Sequence, residues 1–115
     1  MPMVDTHDVL MHTLELVQKQ ENCFICTNVQ ETDLAGHGEN VAEYAHKLTV
    51  ADEVIGKIRA ALGPDDIMVV MADHGNDPTI GHPHHTREKV PLLIAGSHKP
   101  PQCIGERATL SDVGA

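Results

Sequence analysis

Carboxylate and imidazole side chains gather at three places in this chain. Asp73 and His74 close an apolar run and are followed at once by Gly75. His82, His84 and His85 lie a short way further on, and well upstream Asp33 and His37 flank Gly36, with Gly38 just beyond. Such mixtures of oxygen and nitrogen donors suit Mn²⁺ or Zn²⁺ better than Ca²⁺. Together they suffice for two divalent cations, and ions paired roughly 4 Å apart are the usual clamp for phosphoryl transfer. Each group also has a plainer reading. An Asp-His pair at a strand end is often only a hydrogen-bonded turn, a histidine-rich loop only a solvated one, and an Asp ahead of a helix only a cap. Their joint occurrence in loops beside strands is what favours cations.

Convergence on an ion needs particular backbones. Asp73 and His74 are adjacent, so on a regular strand they point apart, and a turn at the strand end, made easy by Gly75, is needed to aim both at one point. Asp33 and His37 are four positions apart and can meet either across a short helical turn or through a folded loop.

The elements that must carry these residues are legible in the pattern. Asp5 or Thr6 caps an expected first helix that ends near Gln20, with Leu10, Leu14 and Val17 on one face. Residues 23–29 read as a short strand leading into a polar loop through Asp33 to His37. From Glu39 to Leu62, Val41, Ala45, Leu48, Ala51, Ile55, Ile58 and Leu62 recur in steps of three or four, which predicts a long amphipathic helix stopped by Gly63 and Pro64. Residues 67–72 and 90–95 are nearly unbroken apolar runs, the pattern of strands covered on both faces in a parallel sheet. Residues 97–102 read as loop, and Thr109 to Asp112 as the cap of a helix barely begun. The order of elements predicts an α/β layered class with a largely parallel sheet flanked by helices, and sites at strand tips fit the rule that open parallel sheets bind ligands at their carboxyl ends.

Bulk properties narrow the function classes. With 115 residues the chain is one domain, residues 1–115, short for a complete metabolic enzyme, and a partial domain is expected. A net charge of −9 opposes nucleic acid and anionic membranes, and one Phe, one Tyr and no Trp leave little for base stacking. No apolar run approaches the ~20 residues that cross a bilayer and no signal peptide is evident, so a cytoplasmic location is expected. Three cysteines argue against a disulfide framework. Cys23 and Cys26 have redox or zinc spacing, but in a strand-like run they face opposite ways, and ordinary packing is expected of them. His7, His12, His46 and His98 read as solvated.

The run Ala72-Asp-His-Gly-Asn-Asp-Pro-Thr79, followed by His85-Thr-Arg-Glu88 and Val90-Pro91, closely resembles the C-terminal metal-binding part of phosphopentomutases, members of the alkaline phosphatase superfamily. The resemblance extends over essentially the whole chain, to Leu110-Ser-Asp-Val-Gly114. It implies an alkaline-phosphatase-like core fragment in which Asp73 and His74 hold one Mn²⁺ and Asp33, His37 and His85 hold the other, with Zn²⁺ or Mg²⁺ as substitutes. It implies a small phosphorylated sugar as substrate, phosphate moved between its C1 and C5 oxygens through a phosphothreonine that bridges the metals, and priming by a sugar bisphosphate. It also implies that the nucleophilic threonine, a further carboxylate ligand and the substrate cap belong to the remaining half of the enzyme, so no catalytic residue is expected in this chain and the isolated chain is expected to be inactive. Two positions depart from the family pattern. Thr32 stands where the acidic ligand is usual, with Asp33 one position later, and His84 stands where Asp usually precedes His85. A phosphatase or phosphodiesterase of the same superfamily, or a non-catalytic metal-binding module, are the rival readings.

Overall fold

Helix capping decides where the first and third helices begin. In the computed structural model, which describes residues 4–96 and 100–115, Asp5 accepts a hydrogen bond from the Asp8 amide (3.0 Å) and opens α1, Thr6–Lys19. A short helix α2, Glu31–His37, follows and ends at Gly38; Glu39 then takes a left-handed φ of 52°, and Asn40 caps α3, Val41–Ala61, through the Glu43 amide (3.0 Å). The amide of Gly63 is tied to the Asp66 carboxylate (2.6 Å) just past α3, so the predicted stop holds. The chain ends in a turn of 3-10 helix, Leu110–Val113, whose N-cap Thr109 forms a capping box with Asp112.

The core is a single seam between α1 and α3. Leu10 and Leu14 on α1 pack with Ala51, Val54 and Ile58 on α3, and Val29 and Met68 lean on the same cluster. The stripe predicted along α3 is buried only in its second half. Val41 and Leu48 are about half exposed because α1 reaches no further, and Val54, not in the predicted stripe, is the most deeply buried side chain of the seam.

Two strands, β1 (Ile67–Met71) and β2 (Leu92–Gly96), complete the architecture, which is of the α/β class expected. Their pairing corrects the sequence reading: it is antiparallel, with Ile67 opposite Gly96 and Met71 opposite Leu92. A parallel pair needs a crossover, usually a helix, and residues 72–91 contain none, so the chain simply reverses. The reversal brings the whole connection, with Asp73, His74 and His85, out at one end of the ribbon. Full coverage of the strands is also corrected: Ile67, Val69, Met71 and Ile94 share the face turned away from the helices and are exposed, and on the other face Met68 packs on the core while Leu93, paired with Val70, stays exposed. Residues 23–29 form no helix and join no ladder, and Cys23 and Cys26 are exposed and not packed. The segment is held to α1 by the Thr13 and Thr27 hydroxyls (2.6 Å). His7, His12 and His46 are exposed as expected, and His98 lies outside the described residues.

Glu31 joins all three helices. Its carboxylate accepts the Thr6 amide (2.6 Å) at the start of α1 and pairs with Lys47 of α3 (3.0 Å). Thr6 foremost, and Lys47 after it, hold the Glu31 carboxyl below its ordinary value of 4.5. A depressed folded-state value stabilises the fold fully above the unfolded value and loses that contribution as pH falls through the folded one. Glu31→Gln is therefore expected to cost about 1 kcal/mol near neutrality, the scale of a hydrogen-bonded charge with some solvent access. Thermal melts should show the variant and the parent converging as pH falls below 4.5 and then through the lowered folded-state value, where the parent carboxyl takes up its proton.

Candidate metal centre

Asp33 and His37 occupy successive turns of α2, so the helical alternative is the one adopted, and His37 Nε2 lies 3.3 Å from Asp33 Oδ2. Across from them the chain leaves β1, bends at Asp73 and His74, and presents His74 Nε2 at 3.7 Å from Asp33 Oδ1 and 3.6 Å from Asp73 Oδ1. The third approach comes from the far arm of the 72–91 connection. His85 Nε2 reaches Asp33 Oδ1 (3.2 Å) and His37 Nε2 (3.0 Å), and the His85 ring stacks on His74 with centroids 3.6 Å apart and planes 13° from parallel. The five sequence-derived residues thus gather at one place with Asp33 at the centre. Asp73 is the outermost, its side chain 87% exposed.

His82 and His84 stay out of this group. Their rings tilt against each other 5.5 Å apart, and the His84 amide donates to His82 Nδ1 (3.2 Å). Glu88 accepts from the Thr86 hydroxyl and does not pair with Arg87; it braces the loop from within.

Ring orientation is fixed by backbone carbonyls. A carbonyl oxygen can only accept, so His37 carries its proton on Nδ1, donated to Pro83, and His74 carries its proton on Nδ1, donated to Gly75 (3.0 Å). In its neutral form each ring then has its lone pair on Nε2, the atom turned to Asp33, which is the arrangement by which metal-ligating histidines are normally held. The Gly75 carbonyl also accepts the Thr86 amide (3.0 Å), which pins the two arms of the connection together. A side chain at residue 75 would press on the Thr86 carbonyl (2.8 Å) and the Glu88 amide (3.1 Å), so glycine is required for this close approach.

The donor spacing can be compared with that of a coordination shell. Two nitrogen or oxygen ligands at 2.0–2.2 Å from one tetrahedral ion are about 3.4 Å from each other. Asp33, His37 and His85 span 3.0–3.3 Å, and His74 stands 3.6–3.7 Å from the two carboxylates. The residues fit divalent cations in both dimension and donor type, and the donor atoms of Asp33, His74 and His85 all lie within 4.8 Å of one another.

The model of the Metalloenzyme superfamily matches residues 1–115. The chain belongs to that superfamily. As a metalloenzyme-superfamily chain it is similar to curated phosphopentomutases: 45% identical over 103 residues to that of Symbiobacterium thermophilum, 39% over 112 to that of Kosmotoga olearia and 38% over 109 to that of Vibrio cholerae. These matches cover 88%, 96% and 93% of this chain but 26%, 29% and 27% of the relatives, so the chain spans little more than a quarter of their length. The expected likeness to the phosphopentomutases is therefore met. Three helices beside a small ribbon agree with a fragment of the metalloenzyme fold.

Sequence reasoning missed Asn76, which bonds to Asp33, and the notch at Gly36 that admits it, while the turn expected at Gly75 is present and also lets the two arms of the connection close. The glycines beside the ligand-type residues were the available signal.

Proposed function

We propose that this chain is the C-terminal metal-binding part of a Mn²⁺-dependent phosphopentomutase-like isomerase, which transfers phosphate between the C1 and C5 oxygens of a small sugar. The observation that carries the reading is the Asp33-centred set of donors, spaced as a divalent coordination shell, in a chain 37–45% identical to proteins named phosphopentomutase. Asp33, His37 and His85 would hold one cation and Asp73 with His74 the other, Zn²⁺ or Mg²⁺ being possible substitutes. Bound cations supply Lewis-acid charge to the phosphoryl oxygens and to the attacking oxygen.

The chain's own part in the reaction is positional. α2 offers Asp33 and His37 on one face, the bend after β1 offers Asp73 and His74, and the Gly75–Thr86 bridge brings His85 over His74. The phosphothreonine, the sugar pocket and the primer site for a sugar bisphosphate are assigned to the rest of the enzyme, outside the quarter that this chain spans. The exposed apolar side chains of β1 and β2, an unusual exposure for a finished sheet, suit burial against that remainder. A cytoplasmic setting, with neither nucleic acid nor membrane as partner, accords with the net charge of −9 and with the absence, among the described residues, of a helix long and apolar enough to cross a membrane.

The test is an assay of the 115-residue chain and of the longer polypeptide containing it, each with Mn²⁺, a catalytic amount of sugar bisphosphate and ribose 1-phosphate, followed by phosphorus NMR. Ribose 5-phosphate is expected from the longer polypeptide only. Free phosphate instead would favour a phosphatase, no turnover by either would favour a non-catalytic module, and turnover by the short chain alone would overturn the division of the enzyme.

A further inference from the structure

The side chain of Asn76 grips the central carboxylate from outside the ligand set. Its amide nitrogen lies 3.1 Å from Asp33 Oδ1 and 3.3 Å from the Asp33 backbone carbonyl. Both partners only accept, so both amide hydrogens are committed and the orientation of the amide is fixed by chemistry. The rest of the group fills a notch in α2 at Gly36, which is buried; a Cβ there would overlap the Asn76 amide itself.

We propose that Asn76 is the positioning residue of the cation site, holding Asp33 with Oδ1 turned to His74 and His85, and that Gly36 exists to admit it. This rests on the cation-binding reading above. Three observations converge on it. Asn76 touches both the backbone and the side chain of Asp33, so it fixes the rotation of α2 as well as the carboxylate. It follows His74 and Gly75 directly, so one short segment delivers a ligand-type ring, the carbonyl that orients that ring, and the clamp on the opposing carboxylate. Finally, Asp33 Oδ1 is the atom that faces His85 (3.2 Å) and His74 (3.7 Å), so a carboxylate rotated away would lose both. Other side chains fail here for stated reasons. Aspartate would set a carboxylate against a carboxylate, and glutamine would need room for another methylene in the notch.

The test is Mn²⁺ titration of the 115-residue chain by calorimetry and by the electron paramagnetic resonance signal of the free ion, with melting of the ion-free protein as a folding control. Asn76→Ala is expected to weaken Mn²⁺ binding about 10- to 100-fold, the usual consequence of removing a hydrogen bond that orients a ligand, while the ion-free melt moves little. Gly36→Ala is expected to weaken binding similarly by evicting Asn76. Gly36→Ala added to Asn76→Ala is expected to do almost nothing further, because the notch is then empty. Unchanged affinity in Asn76→Ala, with loss in His74→Ala, would overturn the positioning role and leave the cation site standing. Independent, additive losses in the double variant would overturn the notch. A wild-type chain that binds no Mn²⁺ would overturn the cation reading together with this one.

Discussion

Asp33→Ala is expected to weaken Mn²⁺ binding by more than about 100-fold, beyond the range seen when only an orienting hydrogen bond is lost. Asp33 supplies the carboxylate at the centre of the group: Oδ2 faces His37 at 3.3 Å, and Oδ1 faces His85 at 3.2 Å and His74 at 3.7 Å. Removing it leaves three imidazole nitrogens turned on one another, with the exposed Asp73 as the remaining nearby carboxylate. A neutral nitrogen set holds a divalent ion with less charge compensation and one ligand fewer, and the ion would draw further water in its place. Calorimetric titration of the variant beside His82→Ala and His84→Ala gives the comparison, since those rings pair with each other and not with the cluster. Full affinity in Asp33→Ala would remove the basis of the proposed site. A loss in His82→Ala equal to that in Asp33→Ala would mean that the ion sits further out along the loop.

How much of this was legible beforehand depends on whether the signal was local. The i to i+4 spacing of Asp33 and His37 contained their convergence, and Asn40 ahead of an apolar period contained the start of α3. The direction of β2 was misread because the class-level expectation of a parallel sheet prevailed over a local rule. The crossover that joins parallel strands is usually a helix, and residues 72–91 hold none. Burial failed for a different reason. Ile67, Val69 and Ile94 have the composition of interior strands, but composition records what a residue is suited to, and here their face of the ribbon is turned away from the helices. The choice of His85 over His82 and His84 was not contained in spacing at all. It came from resemblance, and in the structure it corresponds to a backbone bridge, Gly75 to Thr86, whose partners are far apart in sequence.

Leu10→Ala is expected to destabilise the fold by about 2–5 kcal/mol, through lost burial and the cavity left behind. The seam it belongs to contains few other side chains: Leu14, Ala51, Val54 and Ile58. A domain of this size has roughly 5–15 kcal/mol in all, and a seam this small places the chain toward the lower end. The melting temperature should fall by about 10–20 °C. Cation binding offers a way to separate this loss from loss of the site itself. An ion that binds only the folded chain adds about 2.7 kcal/mol at a hundredfold excess over its dissociation constant. Saturating Mn²⁺ should therefore recover much of the melting temperature of Leu10→Ala, whose ligand-type residues are intact, and none of that of Asp33→Ala. If Mn²⁺ raised both variants equally, the ion would be acting somewhere other than between α2 and the loop after β1, whereas rescue of Leu10→Ala alone ties the energetics of the α1–α3 seam to the loops it supports.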